Sequence, residues 1–345
     1  MLLRGRWLYL LLGAVVLILY VRLFARGPMT PPELVEQAMG KPAPQATFWE
    51  QELDPAKVLT MLQEKPKLAL VLGVLTSLTI GLGISGVVLS VWAVFRRRLP
   101  HLFRYRSQLP RAWSLEELSR IVVLLVLLAS LLPFVHISLM AWGSVRLADP
   151  HLWSVLSMVI LDGLVLLVVW GFASTKEPSP FAALGLSWHR SARAAAQGLV
   201  GYTVIFPWVF GLLWLIVRLC QQFGIEPPLE PIHELLFVEE RDLIVGLSLV
   251  LACGLGPVAE EVFFRGILFT AVRKYTSRLV AMLVSGALFA VVHTNLIGFL
   301  PILILGCLLA DLYERTGSLL GPIAVHVLHN TLLVSLGFTL KELLV

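Results

Sequence analysis

The run LIVGLSLVLACGLGPVAEEVFFRGILFTAV, residues Leu243–Val272, decides the fold. It exceeds the ~20 apolar residues that a membrane-crossing helix needs, yet Glu260, Glu261 and Arg265 lie inside it. A charged side chain at the centre of a bilayer costs about 2.5–3.5 kcal/mol or more, so a membrane helix keeps one only when something pairs or uses it. Successive helical residues are ~100° apart, which stacks Glu261 and Arg265 (i, i+4) on one face, where they can pair. Glu260 is turned ~100° from Glu261 and has no obvious local partner. The stretch therefore offers one neutralised carboxylate and one available carboxylate. Gly254-Leu255-Gly256-Pro257 is expected to break the segment, with Pro257 at the first turn of the helix that carries the glutamates.

The rest of the chain has the composition of a polytopic membrane protein. Apolar residues make up 58% and charged residues 14%, with a mean hydropathy of +0.85. Soluble domains carry about 25% charged residues, which excludes that class. The net charge of +5 gathers in particular loops and reads as topology, not as nucleic-acid binding. Ten Trp suit interfacial belts. Cys220, Cys253 and Cys307 lie in or beside apolar runs without a CxxC, so they suggest neither a disulfide framework nor a zinc knuckle.

Nine apolar segments alternate with polar ones. Trp7–Phe24 reads as an uncleaved anchor, since Phe24-Ala25-Arg26 is a poor cleavage site. A proline-rich polar stretch follows, with a short amphipathic helix expected around Asp54–Glu64. The remaining segments are Leu68–Phe95, Ile121–Met140, Leu152–Ala173, Ala194–Leu219, Leu243–Val272, Leu279–Asn295, Phe299–Tyr313 and Leu319–Leu340. Gly81-Leu82-Gly83-Ile84-Ser85-Gly86 matches GxGxxG, but it lacks the preceding strand and later acidic residue of a dinucleotide site. Glycines so spaced in a membrane helix allow close packing instead. Arg96, Arg97, Arg98, Arg104, Arg106 and Arg111 crowd one loop, which the positive-inside rule assigns to the cytoplasm, together with the N-terminus. Residues 221–240 carry five Glu and no Lys or Arg, and suit the outer side. His233-Glu234 begins like a zincin motif, but Phe237 stands where its second His is required. His136 and Asp162 lie within spans and read as bundle-interior polar residues, while remaining functional candidates by default.

Two more polar clusters follow Glu260. One is Phe289-Ala290-Val291-Val292-His293-Thr294-Asn295, and the other is His326-Val327-Leu328-His329-Asn330. Counting 1.5 Å per residue from the basic turns near 272, 279 and 317 puts Glu260, His293, His326 and Asn330 at ~14–21 Å, a similar depth on three helices. A free carboxylate, histidines and an amide at one depth suit hydrolysis. Glu260 can accept a proton from water, His293 can orient that water, and His326 and Asn330 can donate to an oxyanion. Individually, each group could equally belong to a polar network that holds helices together.

Glu260-Glu261-x-x-x-Arg265, Phe289-x-x-x-His293 and His326-x-x-x-Asn330 resemble the three motifs of the CPBP (Abi) family, which comprises type II CAAX prenyl endopeptidases and bacteriocin-processing intramembrane proteases. Leu312–Leu319 and Leu184-Gly185-Leu186 also look like the family. The resemblance is carried by residues 245–335 and extends more loosely back to about 120. It implies an all-α transmembrane bundle of about eight to nine spans with a conical catalytic cavity inside the membrane. It also implies a protease domain over 118–345, leaving 1–117 as an N-terminal extension with two spans and a polar external loop. By resemblance, Glu260 is the general base, His293 shares the attacking water, His326 and Asn330 stabilise the oxyanion, and Arg265 holds Glu261. His329 departs from the simple pattern as a second histidine in the third motif.

The expected activity is therefore an intramembrane endopeptidase acting on a membrane-embedded or membrane-proximal peptide, with no cofactor. His293, His326 and Glu260 could ligate zinc in a metal-dependent version. The expected setting is the lipid bilayer of a prokaryotic plasma membrane, with no nucleic-acid partner. Two other classes compete: a non-catalytic immunity or scaffold protein, and a transporter with a proton path through Glu260, Asp162 and His136. The span pattern shows no inverted repeat to support the transporter.

Overall fold

The protein is described by a computed structural model covering residue 14 and residues 55–95, 109–110, 113–141, 149–176, 179–186, 191–224, 231–293, 295 and 297–344. The anchor at Trp7–Phe24 and most of the arginine-rich loop at Arg96–Arg111 lie outside the described residues. The described residues are helical, with no strand among them. In chain order the helices are α1 (Pro55–Glu64), α2 (Pro66–Phe95), α3 (Leu115–Ala141), α4 (Pro150–Ser174), α5 (Pro180–Ala183), α6 (Ser191–Gln222) and α7 (Pro231–Phe237). They continue with α8 (Asp242–Arg273), α9 (Arg278–Val292), α10 (Phe299–Thr316) and α11 (Leu320–Leu344).

Among the described residues six helices are long and apolar enough to cross a membrane: Pro66–Phe95, Leu115–Leu139, Pro150–Ser174, Ala192–Gln222, Asp242–Arg273 and Leu320–Glu342. Apolar surface facing lipid needs no protein cover, and α2, α3 and α6 accordingly present Val74, Phe134 and Trp214 outward. Of the nine expected segments, two fall short of span character. Helix α9 is shorter, and the last turns of α10 carry Asp311, Glu314 and Arg315. Those charges are paired. Arg273 holds Glu314 at 3.1 Å, and Asp311 is held by both Arg278 and Arg315. They tie the ends of α8, α9 and α10 together beside the turn where α10 stops. Gly317 allows that turn: its φ of +63° suits glycine, and its N–H caps Tyr313 O at 2.8 Å.

Small residues bring helix backbones together where no hydrophobic force acts between lipid-facing helices. A Cβ at Gly306 would lie 2.9 Å from Gly286 Cα, so α9 and α10 touch at their backbones. In the GxGxxG stretch only Gly86 has this role, since a Cβ there would run into Thr203 O and Pro207 of α6. Gly81 and Gly83 face open space.

The expected break at Gly254–Pro257 does not occur. Helix α8 runs through it, wound as π-helix at Leu251–Leu255 and again at Val262–Phe269, with an α turn, Gly256–Glu261, between. The reason can be traced atom by atom. Gly256 N–H bonds to Leu251 O, an i→i−5 bond. In that register residue 257 would donate to Ala252 O, but Pro257 has no N–H. Asn330 of α11 supplies the missing donor, with its Nδ2 2.8 Å from Ala252 O. Ser285 of α9 likewise donates to Phe264 O at 3.2 Å inside the second π segment. Side chains of neighbouring helices thus satisfy what the irregular winding leaves open.

At the other end of α8 a polar tie joins it to α4. Arg241 donates to Glu239 Oε2 at 2.7 Å and to Asp149 Oδ2 at 2.6 Å, while His151 meets Glu239 at 2.5 Å. Asp149 also caps α4 by accepting from Leu152 N–H at 2.9 Å. The Arg241 guanidinium is the main cause holding the Glu239 carboxyl well below the usual carboxylate range, with His151 adding to it, and Arg241 lowers Asp149 in the same way.

Two outcomes are expected. Asn330→Ala should destabilise the protein by about 1–3 kcal/mol, the cost of a buried carbonyl left without a donor. Pro257→Ala, which restores an N–H, should recover part of that loss in the double mutant. Unfolding of the four proteins in detergent measures the coupling, and additivity would refute the substitution of one donor for the other. Because the native Glu239 and Asp149 carboxyls are lowered, their stabilising effect is full above the unfolded value of about 4 and fades as pH falls towards the native values. The melting-temperature gap between wild type and Arg241→Met should therefore be wide at pH 7 and should narrow steadily below about pH 4.

Candidate active site

The α turn between the two π segments aims its carboxylates in opposite directions. Glu261 points into the bundle with 0% exposure, and Arg265, also at 0%, meets it one turn on, Nη1 to Oε1 2.8 Å. The expected i, i+4 pair is present. It also has partners that no local reading gives. His326 Nδ1 is 2.9 Å from the same Glu261 oxygen, Arg265 Nη2 donates to Gly306 O at 3.2 Å, and the guanidinium lies 4.2 Å from the Phe289 ring centroid. Removing one member of so buried a pair typically costs 3–5 kcal/mol because it strands the other charge.

Glu260 points the other way, with its side chain 31% exposed to a cavity of about 550 Å³. The cavity lies in the half of the bundle away from the turns at 274–277 and 317–319. His293, His326 and Asn330 line it, as expected from their depths, together with Asp162, His233 and His329. Its remaining walls are largely apolar, including Met158, Leu251 and Leu333. Helix α7 covers one side, lodged by the Phe237 ring against Gly337 of α11, where a Cβ would collide with it.

The two histidines nearest Glu260 are oriented from behind. His293, which ends α9, has Nδ1 2.7 Å from Phe289 O, and His326 has Nδ1 against Glu261. A carbonyl and an ionised carboxylate are acceptors only, so Nδ1 carries the hydrogen in both rings. Their Nε2 atoms then converge on one point: each is 3.8 Å from Glu260 Oε2. That distance is too long for a direct hydrogen bond and leaves room for an intervening water.

The structure redistributes the other polar residues. Asn330 reaches the cavity, but one of its N–H groups is taken by Ala252 O. His329 turns to the far side of α11, where Nδ1 hydrogen-bonds the Tyr202 hydroxyl at 2.9 Å. Asp162, which the sequence left as a bundle-interior group, faces the same cavity as Glu260. His136 stacks on Trp153, 4.6 Å between centroids, and is not among the cavity residues. His233 was set aside with the failed zincin motif, yet α7 carries it to the cavity. Its signal was weak, an apolar pattern in an otherwise acidic loop. No group of three or more His, Cys, Asp and Glu side chains among the described residues is disposed to hold a metal ion.

Comparison with known proteins bears on the same segment. Residues 243–332 match the model of the family described as type II CAAX prenyl endopeptidase Rce1-like. A relative from Bacillus subtilis (strain 168), named "Putative membrane peptidase YdiL", is 36% identical over 90 residues. That alignment covers 26% of this chain and 37% of the relative, so the chain spans little more than a third of its length. No solved structure matches the chain. The matched stretch holds Glu260, Glu261, Arg265, His293, His326 and Asn330 together, and residues 243–332 of this integral membrane protein are accordingly a segment of the Rce1-like type II CAAX prenyl endopeptidase family.

Proposed function

We propose that the protein is an intramembrane endopeptidase in which Glu260 activates water without a metal. The observation that carries this reading is the convergence of His293 Nε2 and His326 Nε2 on Glu260 Oε2, each at 3.8 Å, from three different helices. A water held there donates one hydrogen to His293 Nε2 and the other to Glu260. As Glu260 takes its proton, the water oxygen attacks the peptide carbonyl. His326 serves the opposite need. With Nε2 protonated it donates to the developing oxyanion, and Glu261 behind it balances the imidazolium. In that state Glu260 and Glu261 offset Arg265 and His326, so the buried set is neutral overall, as an apolar setting requires. The second N–H of Asn330 is available to the same oxyanion. Arg265 acts through Glu261 as a positioning residue.

The substrate is a peptide segment within or beside the membrane, admitted by the apolar cavity walls. The family description supports a CAAX-like peptide as one such substrate. The charge bias supports a prokaryotic plasma membrane with the N-terminus and the 96–111 loop in the cytoplasm. The same reading keeps 118–345 as the protease domain and 1–117 as an extension.

The test is hydrolysis of a synthetic peptide library by purified protein in nanodiscs, followed by mass spectrometry. Glu260→Gln should abolish cleavage and leave folding intact. His326→Ala should lower turnover about 10²–10³-fold, the scale of one lost oxyanion donor. His329→Ala should matter far less, since its Nδ1 is engaged by Tyr202. Chelators should change nothing. Near wild-type turnover in Glu260→Gln would refute the assignment of the base, and loss of activity on removal of one bound zinc per chain would move water activation to the metal.

A further inference from the structure

We infer that Asp162 is a second catalytic carboxylate, the acid that gives a proton to the leaving nitrogen. This rests on the peptidase reading above. Asp162 lies in the middle of α4, where an ionisable group is costly unless paired or used. Among the described residues no cation and no hydrogen-bond donor meets its carboxyl group, so helix packing does not account for it. It faces the cavity that Glu260 faces.

The relation between the two carboxyls is set by Gly256. A Cβ at that position would lie 3.6 Å from Asp162 Oδ2 and 3.8 Å from Glu260 Oε1. Glycine therefore leaves the space between them open. The two oxygens of Glu260 have different neighbours. Oε2 looks to His293 and His326, and Oε1 lies on the side of Asp162. His233 of α7 lines the same cavity, and His136 of α3 is stacked on Trp153. Two carboxyls so placed in an apolar wall are least costly with one proton between them.

That arrangement divides the work of peptide hydrolysis. Glu260 starts ionised and Asp162 protonated. Water gives a proton to Glu260 as its oxygen bonds to the carbonyl carbon. When the tetrahedral adduct collapses, the C–N bond breaks, its electron pair stays on nitrogen, and Asp162 supplies the proton that makes the amine. Glu260 then returns its proton to Asp162 through the gap at Gly256. One peptide bond and one water yield one acid and one amine, and both carboxyls end as they began.

The leaving group gives the test. A synthetic peptide cut by the wild type is compared with the same sequence carrying a thioester at the scissile bond. A thiol ionises near pH 8.5 and can leave without an acid, whereas an amine cannot. Asp162→Asn and Asp162→Ser should lower amide cleavage about 10²–10⁴-fold, the range for a general acid, and keep thioester cleavage within about threefold. Asp162→Glu should retain most amide cleavage, and Glu260→Gln should lose both reactions. Two neutral variants are used so that poor folding of one leaves the other to decide, and monodispersity in detergent is checked for each. Equal loss of amide and thioester cleavage in well-folded variants would overturn the proposal in favour of a packing role, and so would undiminished amide cleavage. A wild type that cuts neither substrate would overturn the peptidase reading, and the proposal with it.

Discussion

The ion pair between Glu261 and Arg265, fully removed from solvent, is the constraint on which the site depends. Two opposite charges 4 Å apart attract by about 4 kcal/mol at an effective dielectric constant of 20, and the pair needs further hydrogen bonds to offset its desolvation. Those bonds come from other helices. Arg265 reaches the α10 backbone at Gly306 and the Phe289 ring of α9, and Glu261 reaches His326 of α11. One buried charge pair on α8 therefore fixes the positions of three neighbouring helices. Gly306 has to be small for this, because a Cβ there would lie 3.4 Å from Arg265 Nη2 and closer still to α9. The two adjacent glutamates are separated in role by direction alone, one neutralised in the bundle and one held open to the cavity.

What could be read from the sequence was whatever depends on helical periodicity. The i, i+4 relation of Glu261 and Arg265, and the similar depth of Glu260, His293, His326 and Asn330, follow from rise and rotation per residue, and the structure brings these groups together. What escaped depends on contacts between distant elements. Periodicity puts Asp162 on a face of α4 but does not say which helix that face meets. It places His329 ~60° from His326 but does not supply Tyr202 as its partner. The winding of α8 escaped for a different reason. Gly-x-Gly-Pro reads locally as a helix breaker, and only the amide of Asn330, 78 positions away, shows why the helix continues.

The span count shows the same limit. Hydropathy finds apolar segments, but the last turns of α10 hold charges that are tolerable because Arg273, Arg278 and Arg315 meet them. Whether a segment crosses the bilayer or packs within the bundle depends on partners outside the window being averaged. The polar groups of this chain thus fall into two kinds: those neutralised by a neighbour on another helix, and those few, Glu260 and Asp162, that the fold leaves facing one cavity.

The π-helical winding of α8 has a consequence for how the chain can vary in length. A π turn holds one residue more than the α turn it replaces. Loss of any residue from 251–255 would let the helix close into its most regular form and gain local hydrogen bonding. The same loss would rotate everything beyond it by ~100°, swinging Glu260 off the cavity and Glu261 away from His326. Register in this segment is thus a count, and the locally better helix is the functionally wrong one. Substitutions can be absorbed there one at a time, whereas a single deletion would relocate both carboxylates at once.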